Sequence, residues 1–160
     1  MLELLREDYK NNSFRSFLIL LFYRISHHFY INKKFILLKT INIVFFVLKV
    51  FLSIQSQISY KARIGKNIRL PHIGFGVVIS AKAIIGDNVT IYHLVTIGIN
   101  ENKCLKQDNR CVEIEDNCYL SVGAKIISSK VGKNSVIGPN AVVYKDTPEN
   151  SYIFDMVVYK

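Results

Sequence analysis

From Ile58 to Val143 an aliphatic residue returns at intervals of six within each of four runs: Ile58, Ile64 and Leu70, then Ile79, Ile85, Ile91 and Ile97, then Ile114, Leu120 and Ile126, then, after a step of five, Val131, Ile137 and Val143. Four positions after nearly every one comes a small or aliphatic residue, among them Ala62, Ile68, Gly74, Ala83, Val89, Val95, Cys118, Ala124, Ser135 and Ala141. Six is even, so a strand with alternating side chains keeps both sets on one side from repeat to repeat. A helix of 3.6 residues per turn would scatter them. Between the inward pairs stand Gly65-Lys66-Asn67, Gly86-Asp87-Asn88, Gly132-Lys133-Asn134 and Gly138-Pro139-Asn140. These read as bends, because Gly and Asn tolerate positive φ and Pro fixes its own. Repeated hexads of strand and bend are the signature of a parallel β-helix, three hexads to a triangular coil. The thirteen inward aliphatics predict roughly four coils. The alternative, a β-sandwich with regularly spaced strands, fits the spacing less well, since its turns recur only about every 8–12 residues. The pattern therefore predicts an all-β solenoid over residues 58–147, preceded by a helical segment, 1–57, and followed by a tail, 148–160.

Two features interrupt the rhythm. The step from Leu70 to Ile79 is nine, an insertion of three around Ile73-Gly74-Phe75-Gly76, and between Ile97 and Ile114 lies a polar stretch, Asn100 to Cys111, too long for a turn. Long loops on regular scaffolds are where function concentrates.

The first sixty residues follow a different pattern. Apolar runs at Phe14 to Ile25 and Phe35 to Ile54 predict two helices, with Asn32-Lys33-Lys34 as the turn between them. In the second, Lys39, Asn42, Lys49 and Ser53 share a narrow arc and the rest of the circumference is apolar. That stripe fits an interfacial or bundle helix better than a membrane span. Met1 to Lys61 holds nine Lys/Arg against three acids, six of the chain's net charge of +9. Such an excess suits an anionic membrane surface or phosphate groups, or the helices serve only to cap the solenoid and join subunits. No nucleic-acid recognition motif accompanies the charge. The opening residues carry acids and no signal-peptide pattern, which predicts a cytoplasmic protein, in reach of the inner face of the membrane.

At 160 residues, half of them hydrophobic, the chain holds one domain and an appendage with ample core. The cysteines, Cys104, Cys111 and Cys118, are odd in number and lack metal-ligand spacing, so no metal and a reducing compartment are expected. Cys118 falls on an inward position; Cys104 and Cys111 are expected as exposed thiols of the long loop.

The runs Ala62-Arg63-Ile64-Gly65, Leu70-Pro71-His72-Ile73-Gly74, Gly76-Val77-Val78-Ile79, Ile85-Gly86-Asp87-Asn88-Val89-Thr90-Ile91 and Val95-Thr96-Ile97-Gly98 resemble serine acetyltransferases and their relatives in surface-polysaccharide biosynthesis. Gly123-Ala124-Lys125-Ile126 and Ile137-Gly138-Pro139-Asn140-Ala141-Val142-Val143 continue the match in register. The resemblance covers about residues 58–150. It implies a hexapeptide-repeat acyltransferase with a left-handed β-helix, a homotrimer or a dimer of trimers, and acetyl transfer from acetyl-CoA in clefts between subunits.

His72 matches the family's catalytic histidine and lies in the insertion. A hydroxyl is a poor nucleophile near neutral pH, and a positioned imidazole can take its proton and later protonate the leaving thiolate. His93 is a lesser candidate for the acceptor site. Where the family places an aspartate that orients the histidine, this chain has Gln57, and Pro71 replaces an aspartate just before His72. Cys111 stands at a second family histidine, while Arg110 matches an arginine that binds the amino-acid carboxylate. Losing acids that pair with an ammonium favours a sugar or surface-polysaccharide hydroxyl of capsule or lipopolysaccharide type as acceptor. Two alternatives stay open: serine acetylation in cysteine biosynthesis, and a non-catalytic scaffold in polysaccharide assembly. By the same resemblance, Gly98, Val122, Gly123 and Pro139 line the path of pantetheine. Lys145, with Lys125 and Lys133, is a candidate for the nucleotide phosphates.

Overall fold

A computed structural model describes residues 2–104 and 111–154. Three helices come first: α1 (Leu2–Asn11), α2 (Phe14–Ile31) and α3 (Phe35–Phe51). A left-handed parallel β-helix follows. Its strands are β1 (Gln57–Ile58), β2 (Arg63–Ile64), β3 (Val78–Ile79), β4 (Ala83–Ile85), β5 (Thr90–Ile91), β6 (Thr96–Gly98) and β7 (Val112–Ile114). They continue as β8 (Tyr119–Leu120), β9 (Lys125–Ile127), β10 (Lys130–Val131), β11 (Val136–Ile137), β12 (Val142–Val143) and β13 (Tyr152–Ile153). The first face stacks β1-β3-β6-β9-β12, the second β2-β4-β7-β10, and the third β5-β8-β11-β13, all parallel. The first face thus carries five rungs where the aliphatic count predicts about four. Of the fifth turn only Val143 on β12 enters that count, because the turn then places Thr147 against Val131 and Ile153 against Ile137, outside the hexad spacing.

Register explains the core. Ile79, Ile97 and Ile126 stack rung on rung along the first face, Ile85 and Ile114 along the second, and Ile91, Leu120 and Ile137 along the third. Ile91, Ile97, Ile114, Leu120, Ile126 and Ile137 are wholly buried. Each such side chain contributes about 1.5–3 kcal/mol of burial.

The bends divide their labour between asparagine and glycine. In the Gly-x-Asn triplets it is the asparagine that takes the left-handed backbone, as at Asn67, Asn88 and Asn134, joined by Asn117 and Asn150, with φ between 55° and 59°. The glycine is there for room: a Cβ on Gly86 would sit 2.8 Å from the backbone nitrogen of Asp116 on the next coil. Stacked on one edge, the asparagine amides form a ladder. Nδ2 of Asn67 donates to Asn88 at 2.8 Å, Asn88 to Asn117 at 3.0 Å, Asn117 to Asn134 at 3.1 Å and Asn134 to Asn150 at 3.2 Å. Asn11 of α1 donates to Asn67 and heads the series.

The first coil has no coil before it, and its carbonyls would be an open edge. Side chains of α2 and its neighbours satisfy them. Ser16 Oγ donates to Leu70 O (2.7 Å), Tyr23 Oη to Ala62 O (2.9 Å), and Arg24 to Ile64 O and Gly65 O (2.6 Å each). His27 Nδ1 meets Tyr60 O at 2.8 Å, and Asn12 both donates to Ile68 O and accepts from Leu70 N at 2.7 Å. The last of these contacts along α2, from His27, lies past the expected end of the helix at Ile25, and the helix runs on to Ile31. Helix α1 was not among the expected helices, since its ten residues hold no long apolar run; it is held by the buried ion pair of Asp8 Oδ2 with Arg24 Nε at 3.0 Å.

Helix α3 is turned outside in. Its polar stripe faces the protein, with Lys49 Nζ donating to Ser56 O at 2.6 Å and Asn42 accepting from Ser26 at 3.4 Å. Leu38 alone is fully buried, and Phe45 stacks on Phe22 at 4.4 Å between ring centres. Burial lowers the pKa of Lys49. Among the described residues no helix is long and apolar enough to cross a membrane.

Cys111 corrects another expectation. It is buried and disulfide-bonded rather than an exposed thiol, because it re-enters the coil directly before β7. Cys118 is free and buried, as its inward register requires.

Candidate functional site

The three-residue insertion folds into a tight 3-10 turn, Pro71–Gly74, that departs from helical backbone. His72 (φ 52°), Ile73 (φ 54°), Gly74 (φ 57°) and Gly76 (φ 65°) all adopt left-handed conformation. For His and especially β-branched Ile this is strained, at about 1–3 kcal/mol each, and persists only where surroundings enforce it. Here Leu94 N donates to Phe75 O at 2.8 Å, Val77 N to Gly74 O at 3.2 Å, and Ser16 of α2 anchors Leu70. Pro71 opens the turn and His72 projects into solvent.

A second imidazole meets the first. The rings of His72 and His93 lie edge to face with centres 4.8 Å apart, and Tyr92 is 5.8 Å from His72. Nδ1 of His93 is buried and has no hydrogen-bond partner among the described residues. Tyr92 in turn lies 5.2 Å from Tyr119 on the next coil, and their hydrogen bond, with burial, raises the Tyr119 pKa against the pull of Arg69. Tyr92 and Tyr119 were missed from sequence. Their signal is the pairing of Ile91 with Leu120, which sets them side by side but is hidden by the long loop between those strands.

The edge between third and first faces gathers much of the expected site. Gly123 N donates to His93 O at 3.1 Å and Asn140 N to Val122 O at 2.9 Å, so His72, His93, Val122 with Gly123, and Pro139 descend one ridge coil by coil. Gly123 has φ 69°, and a Cβ there would strike Asn140 Oδ1. Gly98 stands apart at the far end of β6, where a Cβ would meet Ile127 Cδ1 at 3.1 Å, and exposed Lys145 lies beyond β12 with Nζ 6.0 Å from its neighbour Tyr144's ring centre. Gln57 is exposed on β1, paired with Val78, and lines a groove of about 440 Å³ with Phe46, Lys49, Ser59 and Ser80. No hydrogen bond joins Gln57 to His72, and no carboxylate contacts either imidazole, among the described residues. Arg110 lies outside the described residues, as does the side chain of Cys104. No group of three His, Cys, Asp or Glu able to hold a metal occurs among the described residues. An exposed imidazole backed by a second, above a ridge without bulky side chains at Gly123, is suited to proton transfer on an extended substrate laid along the coil.

No protein-family model matches the chain. A serine acetyltransferase of Staphylococcus aureus is 35% identical over 130 residues, covering 81% of this chain and 57% of that protein. Among solved structures, a Neisseria gonorrhoeae serine acetyltransferase superposes with a TM-score of 0.74 at 26% identity, over 90% of this chain and 52% of that one. The Brucella abortus serine acetyltransferase in complex with coenzyme A gives a TM-score of 0.71 at 24% identity, over 86% and 52%. The chain spans a little over half the length of the relatives it matches.

Proposed function

We propose that this chain, which belongs to the serine acetyltransferase family of hexapeptide-repeat acyltransferases, is an O-acetyltransferase that moves an acetyl group from acetyl-CoA to a hydroxyl. The observation that carries the reading is His72 itself, held in strained backbone, exposed, and in contact with His93. In this mechanism His72 takes the acceptor's proton as the hydroxyl oxygen attacks the thioester carbonyl, and returns it to the thiol sulfur as the C–S bond breaks. Val122, Gly123 and Pro139 form the pantetheine path below His72, with Gly98 and Lys145 toward the far edge of the same face. The catalytic unit is a homotrimer.

Serine is the acceptor that the relatives support, by their name. A second reading, a carbohydrate hydroxyl, is favoured by Gln57 and Pro71 in place of acids and by the Tyr92–Tyr119 pair beside His72. Aromatic faces suit a sugar ring, and serine's ammonium finds no carboxylate among the described residues near the histidines. Purified protein incubated with acetyl-CoA and either serine or a glycan panel, with free thiol and product mass as readouts, decides between them. O-acetylserine formed faster than any sugar ester establishes serine; the reverse order establishes carbohydrate; no acceptor-dependent thiol release in any mixture sinks the enzyme reading in favour of a scaffold.

A further inference from the structure

We propose that the outward face of α3 is a docking surface for an anionic phospholipid bilayer. The helix is 17 residues long, about 25 Å at 1.5 Å per residue. Because Asn42 and Lys49 turn toward the protein, the side left to solvent is apolar from end to end of the helix except at exposed Lys39 and Thr40. Ile36 is 83% exposed, Ile43 64%, Phe46 68%, Val50 66% and Phe51 81%. Exposed apolar surface this continuous marks an interaction site in a folded protein.

Charge identifies the partner. Between Asp8 and Asp87 the sequence contains no acidic residue, yet it holds twelve Lys and Arg. Lys33 and Lys34 stand exposed at the head of α3, and exposed Lys39 lies on the border of its apolar face. Pairing two copies through this face would bring those lysines together with no acid in the segment to offset them. Anionic headgroups supply the missing charge, and the acyl region accepts the phenylalanines, isoleucines and valines. The helix lies in the interface without crossing it, in keeping with its length.

The test is co-sedimentation of the full chain with vesicles of phosphatidylglycerol and phosphatidylcholine, and with phosphatidylcholine alone. The chain is expected to pellet with the anionic vesicles only, and to be released by raised salt. Ile43→Glu with Val47→Glu should abolish pelleting while the circular dichroism spectrum in lipid-free buffer is unchanged, since both residues point to solvent. Lys33→Gln with Lys34→Gln should weaken binding about fivefold for each lysine removed. Absence of the unsubstituted chain from the anionic pellet overturns the proposal, as does undiminished pelleting of the Ile43→Glu, Val47→Glu variant. If the chain ignores vesicles and that variant instead loses mass by light scattering without lipid, the face belongs to a second copy. None of these readouts involves acetyl transfer, so they stand or fall separately from the enzymatic reading.

Discussion

At the scale of single residues, His72 combines exposure with a backbone that a protein otherwise avoids. Its replacement by alanine is expected to lower turnover by about 10²–10⁴, the usual share of a general base. The fold should survive, because the side chain is exposed and its aromatic neighbours among the described residues are His93 and Tyr92. Near-normal turnover in His72→Ala would move the proton transfer elsewhere. The position of His72 was legible as a break in the hexad rhythm. Its strain was not, because that is imposed by bonds from Leu94 and α2, distant in sequence. Tyr23 supports a pH prediction. Burial pushes its pKa from 10 up to about 12, so folding favours the neutral phenol. That contribution is fully present below pH 10 and is lost as pH rises through 12. Tyr23→Phe should therefore flatten the fall in urea-melt stability between those values, and an unchanged slope would count against it.

Among the elements, the β-helix and the added helices are stabilised by different means. Inward aliphatics write the coils plainly into the sequence, so the solenoid could be read before it was seen. Helix α1 could not be read, because its anchor is one buried charge, Asp8, whose partner Arg24 lies sixteen residues on. Asp8→Ala leaves Arg24 buried without its carboxylate and should cost about 3–5 kcal/mol by denaturant titration. A loss under 1 kcal/mol would mean that the two carbonyls bonded by Arg24 suffice. The asparagine edge offers a cleaner comparison. Asn117→Gly removes two ladder bonds but accepts φ 59°, whereas Asn117→Ala must also bear the left-handed backbone. The alanine variant should therefore be the less stable by about 1–2 kcal/mol, and equal melting of the two would refute the backbone argument.

As a whole molecule, the protein is a column capped at its first coil, and exposed apolar side chains on the β-helix itself, Val78, Val142 and Tyr144 along the first face, argue against a solitary chain. Light scattering at micromolar concentration should report three chain masses; one mass would refute the trimer. Subunit contacts were not legible in the hexads, since these encode only what turns inward. The asparagine edge has one more property that belongs to the column entire. Every amide donates in the same sense, from Asn11 toward Asn150, so the bond dipoles add head to tail into a polarised filament parallel to the axis. Reversing one amide would set donor against donor at one neighbour and acceptor against acceptor at the other, so the filament is oriented as a unit. Each link strengthens the next. Severing it at Asn88 should therefore do more harm than trimming it at Asn150, although both residues carry nearly the same left-handed backbone, φ 58° and 59°.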